Sequence, residues 1–262
     1  GFLDAAGYAR AMNEARYYDG LNPLYSENEI ELYENGSSPS LYPNVNWLQE
    51  GLRDRGNQMN MNASFIGGDD VVRYYAELDY RAENGLYNDY DIEDFSTQLN
   101  YDRINFRTNL DVDLTPTTKL TGLVSGGIDE TNLPGRGTGE IMNAIFNTPA
   151  NAFPVKNYND NWGGTAIYGN NPAAMISSTG YSRYQGVDVS VKGVIEQDLS
   201  LWAEGLSGEI SVGHNQHATS IDGQRKNYMY EELRLLDGEP ADTLSQTFGE
   251  ETKLSAHSGH GP

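Results

Sequence analysis

The 262 residues carry a formal net charge of −21, a pI near 4.3 and no cysteine. So acidic a field repels nucleic acid, and the lack of thiols excludes a disulfide framework and thiolate zinc sites. Only 37% of residues are apolar, with a mean hydropathy of −0.62, yet aromatics reach 11% with 18 tyrosines, more ordering surface than a disordered chain carries.

Gly1 opens the chain without Met or an apolar export segment, so processing or excision upstream is expected. Asp4 is placed to N-cap a helix running to about Tyr18 and ended by Gly20. Ser26 and Glu29 form a capping box, and Gly36 supplies the stop. Pro39 and Pro43 keep the chain irregular up to Trp47.

From Gln58 the period changes to two. Met59, Met61, Ala63 and Phe65 alternate with polar neighbours, and Gly67-Gly68-Asp69-Asp70 makes a turn. Val72, Tyr74, Ala76, Leu78 and Tyr80 then alternate with Arg73, Tyr75, Glu77, Asp79 and Arg81, as in an antiparallel hairpin. The pattern recurs at Ile104–Leu114, Leu120–Asp129, Val187–Glu196 and Leu206–Val212, which makes six strands. A short helix is expected at Glu140–Phe146, after the Gly135–Gly139 stretch. That stretch lacks the preceding strand and following Lys-Ser/Thr of a phosphate loop.

The connections alternate in length. Asp69-Asp70, Thr115–Thr118 and Asp198–Glu204 are short turns on one side; Asn84–Thr97, Asn132–Tyr181 and the chain from Ile221 onward are long and polar. Loops of that length are uncommon in compact soluble domains and expected on the outer side of outer-membrane barrels. Strands of about ten residues, tilted ~45°, span roughly 23 Å, close to the ~25 Å apolar band of such barrels. No apolar run approaches the ~18 residues of a membrane-spanning helix, but barrel strands alternate and need none. Alternation alone also fits a soluble sandwich or solenoid. The organisation expected is helix and loop over 1–57, barrel strands and extracellular loops over 58–220, and loop with a poorly defined tail over 221–262.

The order of short signatures adds a resemblance. Ala9-Arg10-Ala11-Met12-Asn13-Glu14-Ala15, Asp19-Gly20-Leu21, Tyr25-Ser26, Ile30 and Tyr33-Glu34-Asn35-Gly36 resemble the opening barrel region of the SusC/RagA family. Tyr42-Pro43-Asn44 with Trp47, Gly67-Gly68 before Tyr74-Tyr75, Gly85-Leu86-Tyr87, Arg103–Leu110, Asn171-Pro172 and Gly205-Leu206 continue the series. The resemblance runs from about Ala5 to about Ser220. It implies an all-β fold: an antiparallel meander from a transmembrane barrel of about 22 strands, with short helices near the N-terminus and long extracellular loops. It also implies a TonB-dependent transporter of the Bacteroidetes outer membrane. Such a transporter pairs with a SusD-like surface lipoprotein, contacts outer-membrane lipid and imports oligosaccharides or peptides. Nothing in the chain resembles a TonB box, a plug domain or the later strands, so the TonB complex is expected to act through segments outside it. His257–Pro262 matches no strand.

Candidate sites are few. His214, His217, His257 and His260 show no carboxylate and nucleophile partners, so no catalytic residue is expected and the chain is not read as an enzyme. No cofactor is expected, and calcium is the single candidate ion. Asp89, Asp91, Glu93 and Asp94 place hard oxygens in one loop, and Asn157, Asn159, Asp160 and Asn161 do so in another. Tyr158, Trp162, Tyr168, Tyr181 and Tyr184, in or beside the longest loop, are the candidate substrate contacts, since aromatic rings stack on sugar faces or peptide side chains. The alternatives to an importer are a soluble β-rich polysaccharide-binding module and a carbohydrate-active enzyme.

Overall fold

The computed structural model describes residues 2–88, 90, 95–236 and 239–261, with positions 236 and 239–243 described by backbone alone. In chain order the elements are α1 (Ala5–Tyr18), α2 (Glu27–Asn35), α3 (Trp47–Gly51), β1 (Asn57–Gly68), β2 (Val72–Asn84), β3 (Asn100–Thr115) and β4 (Thr118–Pro134). Then follow α4 (Thr138–Asn147), β5 (Trp162–Gly163), α5 (Pro172–Ser177), β6 (Gly180–Asp198), β7 (Ser207–Arg225), β8 (Tyr230–Leu236), β9 (Glu239–Phe248) and β10 (Ser255–Gly261).

Seven strands form one sheet in the order β1-β2-β3-β4-β6-β7-β10, and every pairing in it is antiparallel. The sheet is open, with β1 and β10 at its edges. The turns β1–β2, β3–β4 and β6–β7 all lie at one end of the strands. The connections β2–β3, β4–β6 and β7–β10 lie at the other end with all five helices and a small second sheet, β5-β8-β9. This is the expected asymmetry of short turns against long loops.

Register converts the alternation into two faces, because directly paired residues share a face. One face carries the rows Met61–Tyr80–Ile104–Ile128–Val187–Ala218 and Ala63–Leu78–Phe106–Gly126–Val189–Gln216. Below them run Phe65–Ala76–Thr108–Val124–Val191–His214, Tyr74–Leu110–Gly122–Gly193–Val212 and Val72–Val112–Leu120–Ile195–Ile210. Five rows at two-residue spacing cover about 27 Å along a strand, or roughly 20 Å normal to a membrane at ~45° tilt. Val124, Ile128, Val189 and Val191 remain exposed here, and of the seven strands' described large apolar side chains only Pro134, at the loop end of β4, is fully buried. Phe106 lies across Gly126, where an added Cβ would sit 2.8 Å from its ring.

The strands run further than the alternation indicated. Above the apolar rows the same face turns polar, through Met59–Ala82–Asp102–Glu130–Gln185–Ser220–His260 and Asn57–Asn84–Asn100–Asn132–Arg183–Asp222–Ser258. With polar side chains on both faces the two-residue period vanishes from the sequence, although the backbone ladder continues. The stretch from Ile221 also differs from the loop and tail expected there: it holds the end of β7 and all of β8, β9 and β10, none of which shows a sustained two-residue alternation. His257–Gly261, outside every strand in the sequence reading, pairs with β7 as part of β10.

The apolar core lies at the loop end. One cluster joins Ala5, Ala6, Ala9, Ile30, Tyr33 and Ala150; a second joins Tyr87, Ile141, Ala144, Ile145, Met175 and Ile176. α1 is capped by Asp4, which accepts from the Gly7 amide, and both bonds of the Ser26/Glu29 capping box are present on α2. Gly36 closes α2 at φ 62°, a left-handed conformation that suits glycine. Asn171, fully buried, organises the long loop. Its Nδ2 donates to the carbonyls of Val155 and Gly163 (both 2.9 Å), while its Oδ1 accepts from the amides of Ala173 and Ala174 to cap α5. No helix among the described residues is long and apolar enough to cross a membrane, which says nothing about strands.

Candidate functional site

The second face of the large sheet is polar and carries a groove of about 540 Å³. Its floor is the pair of rows Asn62–Asp79–Asn105–Gly127–Asp188–His217 and Ser64–Glu77–Arg107–Ser125–Ser190–Asn215. Arg103, one row above, also lines it. The side chains hold one another: Asn62 Nδ2 donates to Glu77 Oε1 (2.9 Å), Arg103 Nε to Asn105 Oδ1 (2.7 Å), and Ser190 Oγ to Asn215 Oδ1 (2.6 Å). His217 Nδ1 lies 2.6 Å from Asp188 Oδ1. Nearer the short turns, Arg73 pairs with Asp113 (2.8 Å) and Lys119 with Asp111 (3.5 Å). Both charge signs and several amides therefore face one wet surface. Such a surface can exchange hydrogen bonds with a polar solute without holding any one charge type tightly.

The histidines differ from the sequence reading, which gave them no carboxylate partner. His217 has Asp188, and His257 Nε2 lies 3.2 Å from Ser182 Oγ. Asp188 sits on the neighbouring strand and Ser182 two strands away across Gly223 of β7, 29 and 75 positions off in the chain, so only register shows them.

The five candidate aromatic residues do not converge. Trp162 forms β5, edge-on to Tyr90 (centroids 6.4 Å), with Lys156 Nζ 5.0 Å above its ring. Tyr158 is 73% exposed. Tyr168 is half-buried near Tyr8, whose hydroxyl is pushed up by burial and by Tyr168. Tyr181 and Tyr184 are three apart on β6 and so take opposite faces: Tyr181 packs on Phe95 and under Arg183, while Tyr184 stands on the polar face between Thr131 and Ile221. Asp89, Asp91, Glu93 and Asp94, proposed for calcium, lie outside the described residues.

Two features of the loop end escaped the sequence reading. An apolar cleft of about 760 Å³ opens between the start of α1 and the α3–α4 region, lined by Phe2, Leu3, Tyr8, Trp47 and Phe146 among others. The second is Glu231 on β8, a carboxylate only 4% exposed. Asn157, Asn159 and Asn161 each donate Nδ2 to its Oε2, at 3.2, 2.7 and 3.3 Å, and Ser245 Oγ donates to Oε1. Burial pushes this carboxyl up, but the donors Ser245, Asn159, Asn161 and Asn157 outweigh it, and the net pKa falls below the usual glutamate value. The asparagine cluster was visible in the sequence; its partner, about seventy residues on, was not.

No known family profile and no curated protein matches the chain. Solved structures do. A chain in the structure of the RagAB peptide transporter is similar with a TM-score of 0.61 and 14% identity, over 86% of this chain and 26% of that one. A chain of the RagAB peptide importer in its closed-closed state is similar with a TM-score of 0.54 and 17% identity, over 83% of this chain and 23% of that one. The chain thus spans about a quarter of the length of the solved chains it matches. At this identity the likeness speaks to fold, and it agrees with strand register and exposed faces: the chain has the fold of a stretch of antiparallel β-barrel wall with its loop-end cap, as found in transporter chains.

Proposed function

We propose that the chain is wall and extracellular cap of a TonB-dependent outer-membrane importer that passes peptides or oligosaccharides along the polar face of the sheet. The observation that carries this reading is the unlike solvation of the two faces: five apolar rows stand exposed on one, and a charged groove lies on the other. An apolar face of that extent left in water invites aggregation, whereas hydrocarbon solvates it. A soluble binding module would cover that face with a second layer, and its residues are uncovered among those described. Exposed Tyr158 and groove-side Tyr184 are the aromatic residues best placed to meet a solute; Trp162, Tyr168 and Tyr181 would act through the shape of the cap. The helical cap is the surface we assign to a SusD-like lipoprotein lid. Peptide is the solute class named for the similar importer, and sugar remains the alternative that an uptake assay decides.

The chain contains no cysteine, which makes a direct test simple. Val124→Cys and Ser125→Cys, adjacent on β4 and on opposite faces, are introduced into the protein in its native membrane. A membrane-impermeant maleimide is expected to label Ser125→Cys, and Val124→Cys only after detergent extraction. Equal labelling of both in the intact membrane would sink the barrel-wall reading.

A further inference from the structure

We propose that Glu231, with the amide oxygens of Asn157, Asn159 and Asn161, forms a calcium site that locks the long β4–β6 loop onto the small sheet β5-β8-β9. The three asparagines alternate along one loop. Asp160, at φ 67°, bends it, with the Asp160 amide bonded to the Asn157 carbonyl (3.0 Å) and the Asn157 amide to the Asn161 carbonyl (2.8 Å). The bend turns all three side chains onto the same Glu231 oxygen. Ser245 approaches the second oxygen from β9.

Two observations distinguish this from a hydrogen-bonded clamp that needs no ion. Glu231 is a buried carboxylate with no ion pair among the described residues; the nearby Lys156 Nζ goes to Asp160 Oδ1 (2.9 Å) instead. Four donors hold this charge at present, and a cation is the other group that can hold a buried carboxylate. Independently, Asn157 is 6% exposed, spends both of its donor contacts on Glu231 and leaves its own Oδ1 buried without a partner. A half-turn of each terminal amide moves no backbone atom and replaces three nitrogens with three oxygens around the carboxylate. The change gives up the three Nδ2 bonds to Oε2, the 3.0 Å bond from Asn157 Nδ2 to the Glu231 carbonyl and the 3.3 Å contact from the Asn161 amide to Asn159 Oδ1, and ion–oxygen contacts take their place. The present nitrogen–oxygen spacings of 2.7–3.3 Å are close to the distance of roughly 3 Å between neighbouring ligands of an ion with oxygens at ~2.4 Å. Three amide oxygens, a carboxylate and a hydroxyl leave places for water in the six to eight that calcium takes, and their softness of placement favours calcium over magnesium.

The test is calorimetry of calcium chloride into the chelator-stripped, detergent-solubilised protein, with magnesium chloride as the comparison. Saturable calcium binding is expected, at least tenfold weaker in Glu231→Gln and about tenfold tighter in Asn159→Asp. No saturable heat up to about 10 mM, well above the ~10⁻⁴–10⁻³ M range of extracellular calcium modules, overturns the site. So does calcium binding that both substitutions leave unchanged. If Glu231→Gln fails to fold, Asn159→Asp decides alone by its melting temperature. The second carboxylate lowers it without calcium, and calcium restores it if the ion binds between the two. A lowered value that calcium does not move means a metal-free clamp and overturns the proposal.

Discussion

Ile176 in the cap and Ile128 in the sheet are the same side chain under opposite conditions. Ile176 is fully buried among Tyr87, Ile141, Ile145 and Met175, whereas Ile128 stands exposed in the middle of an apolar row. The cap is organised as a water-soluble protein is, with capped helices, two apolar clusters and buried polar groups such as Asn171 bonded at both ends. The sheet is organised by its backbone ladder and by polar contacts, and apolar side chains such as Ile128, Val187, Val189 and Val191 stand exposed on it. One polypeptide thus follows two solvation rules, and the border between them is the polar row Asn57–Asn84–Asn100–Asn132–Arg183–Asp222. Glu130 straddles that border on the outer face, taking Arg183 (3.2 Å) and Gln185 (2.7 Å).

The sharpest way to break the comparison is to truncate both isoleucines. Ile176→Ala removes packed atoms and leaves a cavity, so about 2–5 kcal/mol is expected, read as lost hydrogen-exchange protection over α4 and α5. On the proposed barrel-wall reading Ile128→Ala leaves no cavity, since fluid lipid would close over it, and about 1 kcal/mol is expected from the lost transfer term. Equal costs would mean that Ile128 is packed by protein. Next in size is a charge on each face. On the same reading, which puts the first in hydrocarbon and the second in water, Val124→Arg is expected to cost about 2–4 kcal/mol in urea unfolding from lipid vesicles, and Ser125→Arg well under 1 kcal/mol. A smaller effect probes the cap alone. Ser26→Ala removes one half of the capping box and should cost about 1 kcal/mol, seen as fraying of α2 with the sheet unaltered.

The smallest effect is that of pH. Glu231 has a folded-state pKa below the unfolded value of about 4.5. Its ionisation therefore stabilises the cap fully above that value, and the contribution is lost as pH falls through the lower folded one. In the presence of chelator, cap protection should decline below about pH 4.5 in the wild type and decline less in Glu231→Gln. A decline of the same size in both would remove Glu231 from the account.

Much was legible where the signal is local. The Asp4 cap, the Ser26/Glu29 box, the Gly36 stop and six alternating strands follow from contacts within a few residues, and each appears where the sequence indicated. The upper ends of the strands and β10 were illegible because they lack an apolar side chain at every second position, and β8 because Tyr230, Leu233 and Leu235 keep no regular two-residue alternation. There the ladder is held by backbone bonds to strands far away in the chain, and no side-chain period marks it. The same limit hid the groove and Glu231: Asp188 meets His217, and three asparagines meet Glu231, only through pairing between distant strands.

Composition and alternation by themselves determined that this is a β-rich chain with one apolar and one polar face and unequal loops, because strand geometry sends successive side chains to opposite sides. Which end carries the cap, which residues share a row, and where the buried carboxylate finds its donors were decided by tertiary structure alone. Those depend on register, and register is a relation between strands that no single stretch of sequence contains.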